Sequence, residues 1–323
     1  MLTLEQVMDD HTALTLEEKA WLVHLVEEWS LLADLSFADL ILWVPDHDDS
    51  IFWAAAQIRP TTGPTSLEDD VVGEEIAYDP EHLVTEAYLS TEICHSSSNS
   101  LQAGIPVDVV AIPILTNQRC IGVVEMHTNQ MGVRAPGALE DSYLEAASLL
   151  AGMVRRRQFP IEGDKPVPWV SPRVGDGTIR VDIAGVVTFA SPNALSAFRR
   201  MGLTGDLEGE VFATVTKSLL GHQRQPVERP VTSSLTGAGP REVELEGASA
   251  TVRIRVLPLQ DESAPRGLLV MCRDTTELRS RERQLVTARR NGHRDLQEEA
   301  VLLRLGKRVG PFELDRVLGR EDG

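Results

Sequence analysis

Four prolines fall within thirteen residues, at Pro160, Pro166, Pro168 and Pro172. Each fixes φ and removes a backbone donor, so the run cannot lie inside a helix or a sheet. It reads as a linker over residues 160–172 and cuts the 323-residue chain into two stretches, each long enough for a modest core. Everything before it, residues 1–159, and a segment of about a hundred residues after it are expected to fold as separate domains.

The first stretch carries helical spacing at Leu22, Leu25, Val26, Trp29 and Leu32. Thr15 and Glu18 form a capping-box pattern before it, and the helix is expected to end near Leu35. Asp39 to Val44 and Ile51 to Gln57 read as two strands around a polar hairpin loop. Pro80 to Leu89 reads as a short helix. Val107 to Ile114 and Arg119 to His127 are two further strands turning at Thr116-Asn117-Gln118, and Ala138 to Arg157 is an amphipathic helix. This order makes an α+β domain.

The second stretch begins with strands at Gly177 to Asp182 and Val186 to Ala190. Ser191 or Asn193 caps a helix running to Met201, and Phe212 to Leu220 is another. Arg241 to Glu246, Ala250 to Leu259 and Gly267 to Asp274 read as three antiparallel strands. A charged helical run follows from Arg279 to about Arg308, with nine basic and four acidic residues.

The net charge is −18, and residues 1–100 hold 21 acidic against two basic residues, Lys19 and Arg59. That surface repels nucleic acid and anionic membrane, so neither is an expected partner. No 18-residue apolar run and no apolar leader occur, and three scattered cysteines make no disulfide framework, which predicts a cytosolic protein. No P-loop, G-x-S-x-G, H-E-x-x-H or dinucleotide fingerprint is present. Cys94-His95 has no further ligand at useful spacing, so no metal site is expected.

Val181 to Ala194, with its Ser191-Pro192-Asn193-Ala194 run, and the closing Arg273-Asp274-Thr275-Thr276 resemble a PAS domain. Glu28 to Leu40, Arg59 to Thr65 and Ser171 to Gly177 resemble the GAF-like and inter-domain segments of soluble actinobacterial two-component sensor histidine kinases. The resemblance covers roughly residues 10–285. It implies a tandem of a GAF-like domain (1–159), linker (160–172) and PAS domain (173–277). Each domain is a central antiparallel sheet with flanking helices, and a helical tail (278–323) follows.

It also implies a sensing module that passes a ligand or conformational state along Asp274, Thr275, Glu277 and Leu278. Leu278 and Leu285 begin a dimer seam, since they lie seven apart. Implied partners are a second copy and a response regulator or cognate kinase. The phosphoacceptor region of such kinases is matched only at Asn291 to Gln297, where His293 stands without the family's second histidine. His293 is the phosphoacceptor candidate. A solvent-facing role is preferred for it, and the tail reads as divergent or truncated. Alternatives are an active autokinase with its catalytic part elsewhere and a ligand-free interaction scaffold.

For ligands, Phe189, Phe198, Met201, Phe212 and Met271 are read as lining a PAS cavity, although a packed core explains them equally. Arg59 is the residue expected to meet an anionic ligand in the first domain. Haem and flavin have no supporting motif; a small molecule, such as a nucleotide, is allowed by analogy.

Overall fold

The computed structural model describes residues 2–67, 69–96, 100–102, 105–131, 137–161, 171–220, 241–247, 249–262, 264–281 and 284. In chain order these form α1 (Leu4–His11), α2 (Leu16–Glu28), α3 (Ser30–Ser36), β1 (Ala38–Pro45), β2 (Ile51–Ile58), β3 (Glu75–Ala77), α4 (Leu83–Ser90), β4 (Cys94–His95), β5 (Ser100–Gln102), β6 (Ile105–Thr116), β7 (Arg119–Asn129) and α5 (Ala138–Arg155). A short 3₁₀ turn, Val174–Asp176, precedes β8 (Thr178–Val181), β9 (Val187–Ala190), α6 (Pro192–Met201), α7 (Phe212–Leu219), β10 (Arg241–Glu246), β11 (Thr251–Asp261) and β12 (Ala264–Asp274).

Both sheets are antiparallel throughout. The first has seven strands in the order β3-β2-β1-β7-β6-β4, with β5 beside β6; the second has five in the order β10-β11-β12-β8-β9. The β6–β7 hairpin turns through Asn117 (φ 48°) and Gln118 (φ 68°), two left-handed residues as a twist-matched two-residue turn requires. Thr15 caps α2 as expected, its hydroxyl accepting from the Glu18 N–H while the Glu18 carboxylate returns to the Thr15 N–H. Ser191, with Pro192 in the first turn, caps α6 through its hydroxyl alone, which accepts from the Ala194 N–H.

The long first helix is broken. It stops at Trp29 and resumes as α3, and α1, which periodicity alone did not mark, precedes it. The first sheet is covered on one side by α2, α3 and α5, over a core that includes Leu25, Trp29, Leu42 and Leu150. On its other side α4 and the segment carrying Leu67 and Val71 enclose a second apolar layer around Ile41, Trp43, Phe52 and Ala111.

The central strands of the second sheet are covered on both faces. Its inner side packs on α6 and α7 through Phe198, Met201, Phe212, Ile254 and Cys272. Its outer side, carrying Leu257, Leu259, Leu269 and Met271, merges with the core under α5. The two sheets therefore share one helical layer. Most of the proline-rich linker, with Trp169, lies outside the described residues, as does residue 285 onward, including Leu285 and His293.

Candidate functional site

A groove with a volume of about 760 Å³ runs beside α5 on the first sheet. Its floor is apolar, from Phe37, Val110, Met126 and Leu144, and its polar residues include His95, Asp108 and Glu140.

Local chemistry holds each wall. Phe37 ends α3 in the left-handed conformation (φ 54°). The Thr61–Pro64 loop is tied to the end of α3. Asp34 Oδ1 accepts from the Thr61 N–H at 2.6 Å and its hydroxyl at 2.9 Å, and the Asp34 carbonyl accepts from Thr62 Oγ1 at 2.6 Å. Gly63 lies so close to Phe37 that a Cβ there would fall 3.1 Å from the Phe37 Cβ. At the opposite end, Gln130 Nε2 donates to Asp108 at 2.8 Å, and Asn129 Oδ1 accepts from the Met131 N–H at 2.8 Å. Glu140 closes the first turn of α5 by accepting from the Gly137 N–H at 3.0 Å.

α5 has two working faces. Leu144 and Ser148 look into the groove, while Tyr143, Leu150 and Met153 belong to the core shared with the second sheet. The rings of Phe37 and Tyr143 stack at 5.9 Å, and Tyr143 meets Phe189 of β9 edge-on at 6.4 Å. An aromatic ladder thus runs from the groove wall to the second sheet, with centroid spacings inside the favourable range. Arg180 of β8 donates to the Ser142 carbonyl at 3.1 Å and sits 3.5 Å from Glu145.

The opposite face of the first sheet holds a buried polar cluster. Glu125 Oε2 accepts from the Trp43 indole N–H at 2.7 Å and lies 3.2 Å from His127 Nε2. Burial opposes ionisation of Glu125, but the hydrogen bond and charge of His127, with the indole, outweigh it and hold the carboxyl below its ordinary range. Asp39, also buried, accepts from Thr65 Oγ1, the Ser66 N–H and, at 3.0 Å, the Leu67 N–H, so it anchors the loop that covers this face. Among the described residues no cluster of His, Cys, Asp and Glu is arranged to hold a metal.

The residues singled out from the sequence do not converge on one site. Phe198, Met201 and Phe212 come together inside the second domain, the two phenyl rings 6.0 Å apart. Phe189 and Met271 lie on the other side of that sheet, against the α5 core, and do not line the same space. Arg59 is not among the groove's lining residues and donates to the carbonyls of Leu67 (3.1 Å) and Asp69 (2.9 Å), so its guanidinium braces a loop. Asp274 pairs with Arg200; Glu277 is 4.0 Å from Arg281, and Leu278 is exposed. Cys94 is buried while its neighbour His95 is exposed and reaches the groove, as strand alternation requires. Glu125 and His127 were not anticipated. Their signal was a pair of ionisable residues two apart in an apolar strand, and hence on one face.

Residues 4–147 match the family described as histidine kinase PdtaS, GAF domain, and residues 172–280 match the PAS fold. The chain is 37% identical over 320 residues to the sensor histidine kinase PdtaS of Mycolicibacterium smegmatis, and 38% identical over 324 residues to that of Mycobacterium tuberculosis. In each case 95% of this chain is covered, and it spans 64% of the relative's length. A solved structure described as the sensor region of a sensor histidine kinase superposes with a TM-score of 0.74 at 35% identity, covering 86% of this chain and 100% of that one.

Proposed function

The chain belongs to the family of PdtaS-type sensor histidine kinases, of which it carries the GAF and PAS sensor region, and from that premise we propose that the groove beside α5 is the input and the second sheet the first receiver of its state. The observation that carries this reading is the double role of α5. One face borders the groove while the other is packed, through Tyr143, Leu150 and Met153, into the core of the PAS sheet. A ligand that moves α5 must disturb that sheet, because a close-packed interior transmits displacement.

The output then passes from Asp274 and Thr275 along the chain into the helix bearing Glu277 and Leu278. We assign residues 1–159 to the GAF domain, 160–172 to a linker, 173–277 to the PAS domain and 278–323 to the signalling segment. The partners that fit are a second copy of the chain, meeting along the seam begun by Leu278 and Leu285, and a kinase core with its response regulator. Among the described residues no helix is long and apolar enough to cross a membrane, and the cytoplasm is the compartment proposed.

The test grafts this sensor region onto the catalytic core of the M. smegmatis relative and follows autophosphorylation. Ser148→Trp, which fills the groove from an exposed position, and Tyr143→Leu, which removes the middle ring of the ladder, should each change the rate several-fold. Unchanged rates in both, with the variants folded, would remove the groove and α5 from the signalling route.

A further inference from the structure

We propose that the groove beside α5 binds a small organic cation with an apolar, preferably aromatic, body. This inference rests on reading the groove as the sensory input. Its volume of about 760 Å³ lies in the range of cavities that hold small molecules. Phe37, Met126, Met131 and Leu144 offer an apolar bed with two adaptable thioethers.

Among the described residues, the carboxylates that line the groove are Asp108 and Glu140, and no lysine or arginine lines it. Each carboxylate is oriented by a hydrogen bond to one oxygen, Asp108 Oδ2 from Gln130 Nε2 and Glu140 Oε2 from the Gly137 N–H. The second oxygen of each is left for a donor from a ligand. Phe37 adds a ring face to which an ammonium is attracted.

The surroundings point the same way, since residues 1–100 carry 21 acidic and two basic side chains. An anionic ligand would meet net repulsion from that part of the surface. The groove therefore disfavours the nucleotide that analogy allows. A metal ion is a poor fit, because no group of three or more metal-binding side chains gathers among the described residues.

The test is calorimetric titration of the whole chain at low ionic strength with three probes of one shape: 4-phenylbutylammonium, 4-phenylbutanol and 4-phenylbutyrate. The cation should bind about fivefold or more tightly than the anion, a modest ratio because both carboxylates are exposed. Added salt should narrow the gap. Asp108→Asn with Glu140→Gln keeps the acceptor for Gln130 and the cap on α5, and should bring the cation down to the level of the alcohol. Ser148→Trp should abolish binding of all three.

Absence of cation binding overturns the proposal. So does an anion that binds as tightly, or cation binding that survives Ser148→Trp. These outcomes are separable from failure of the sensory reading. A groove that prefers the anion still supports that reading if Ser148→Trp alters the grafted kinase. A kinase indifferent to Ser148→Trp discards the reading whatever the probes do.

Discussion

Arg255 of β11 places its guanidinium 2.8 Å from the carboxylate of Glu28 on α2, with side chains only 8% and 7% exposed. This ion pair crosses from the first domain to the second and lies in the layer the two sheets share. Breaking such a buried pair from one side leaves a charge without compensation and costs about 3–5 kcal/mol. Glu28→Gln and Arg255→Met should each destabilise the chain on that scale in urea denaturation, whereas Glu28→Leu with Arg255→Met should recover most of the loss. Single variants within about 0.5 kcal/mol of the parent would show the pair to be unimportant to the interface.

Glu125 sets the acid limit of the first domain together with Glu18. Burial disfavours the charge on both, yet both carboxyls are held below the ordinary value of 4.5, Glu125 by His127 and Trp43 and Glu18 by Thr15 and Arg119. A carboxylate whose pKa is lowered by folding stabilises the native state above its unfolded pKa. That stability is lost as pH falls through the folded value. The melting temperature should therefore drop as pH falls below about 4.5. Glu125→Gln should lower it at pH 7 and flatten its slope in the acid range. An unaltered slope would mean that the cluster is not ionised as described.

The thiols of Cys120 and Cys272 are pushed up to about 11 and about 12 by burial. Thiolate is the reactive form, so neither should react appreciably with iodoacetamide at pH 8 while the chain is folded. Both should be labelled promptly in urea. Fast labelling of Cys272 in the native protein would contradict the packing of β12 against α6.

Gly267 sits in β12 with φ 103°, and a Cβ added there would run into the carbonyl oxygen of Val181 on β8. Gly267→Ala meets both a disfavoured backbone and a clash with main chain. It should cost about 1–3 kcal/mol, read as a lowered denaturation midpoint. A neutral substitution would show that β8 and β12 can separate locally at no cost.

Much of this architecture was legible in the chain. Thr15 and Ser191 announced their caps, the apolar run from Arg119 to His127 after the Thr116-Asn117-Gln118 turn announced β7, and the run closing at Asp274 announced the last strand of the PAS sheet. What escaped was which face a residue would occupy. In β12 Leu268, Leu269, Val270, Met271 and Cys272 are all buried, so apolar character shows no period of two and cannot assign sides. Met271 was accordingly placed in the PAS interior, when it belongs to the α5 core. Glu28 gave no local sign that it would be buried, since its partner lies more than two hundred residues away. The groove was equally hidden, being assembled from α3, α5, β4, β6, β7 and the Thr62–Pro64 loop.

The doubly covered PAS sheet also defines what can be exchanged between sensors of this kind. A transplant cut at the proline-rich segment would carry Leu257, Leu259, Leu269 and Met271 into water, along with an unpaired Arg255. Such a fragment would be sticky and short of stability on its own. The inheritable and engineerable unit is the pair of domains, and a recombination that respects only the apparent domain border should select for new apolar cover or fail to accumulate.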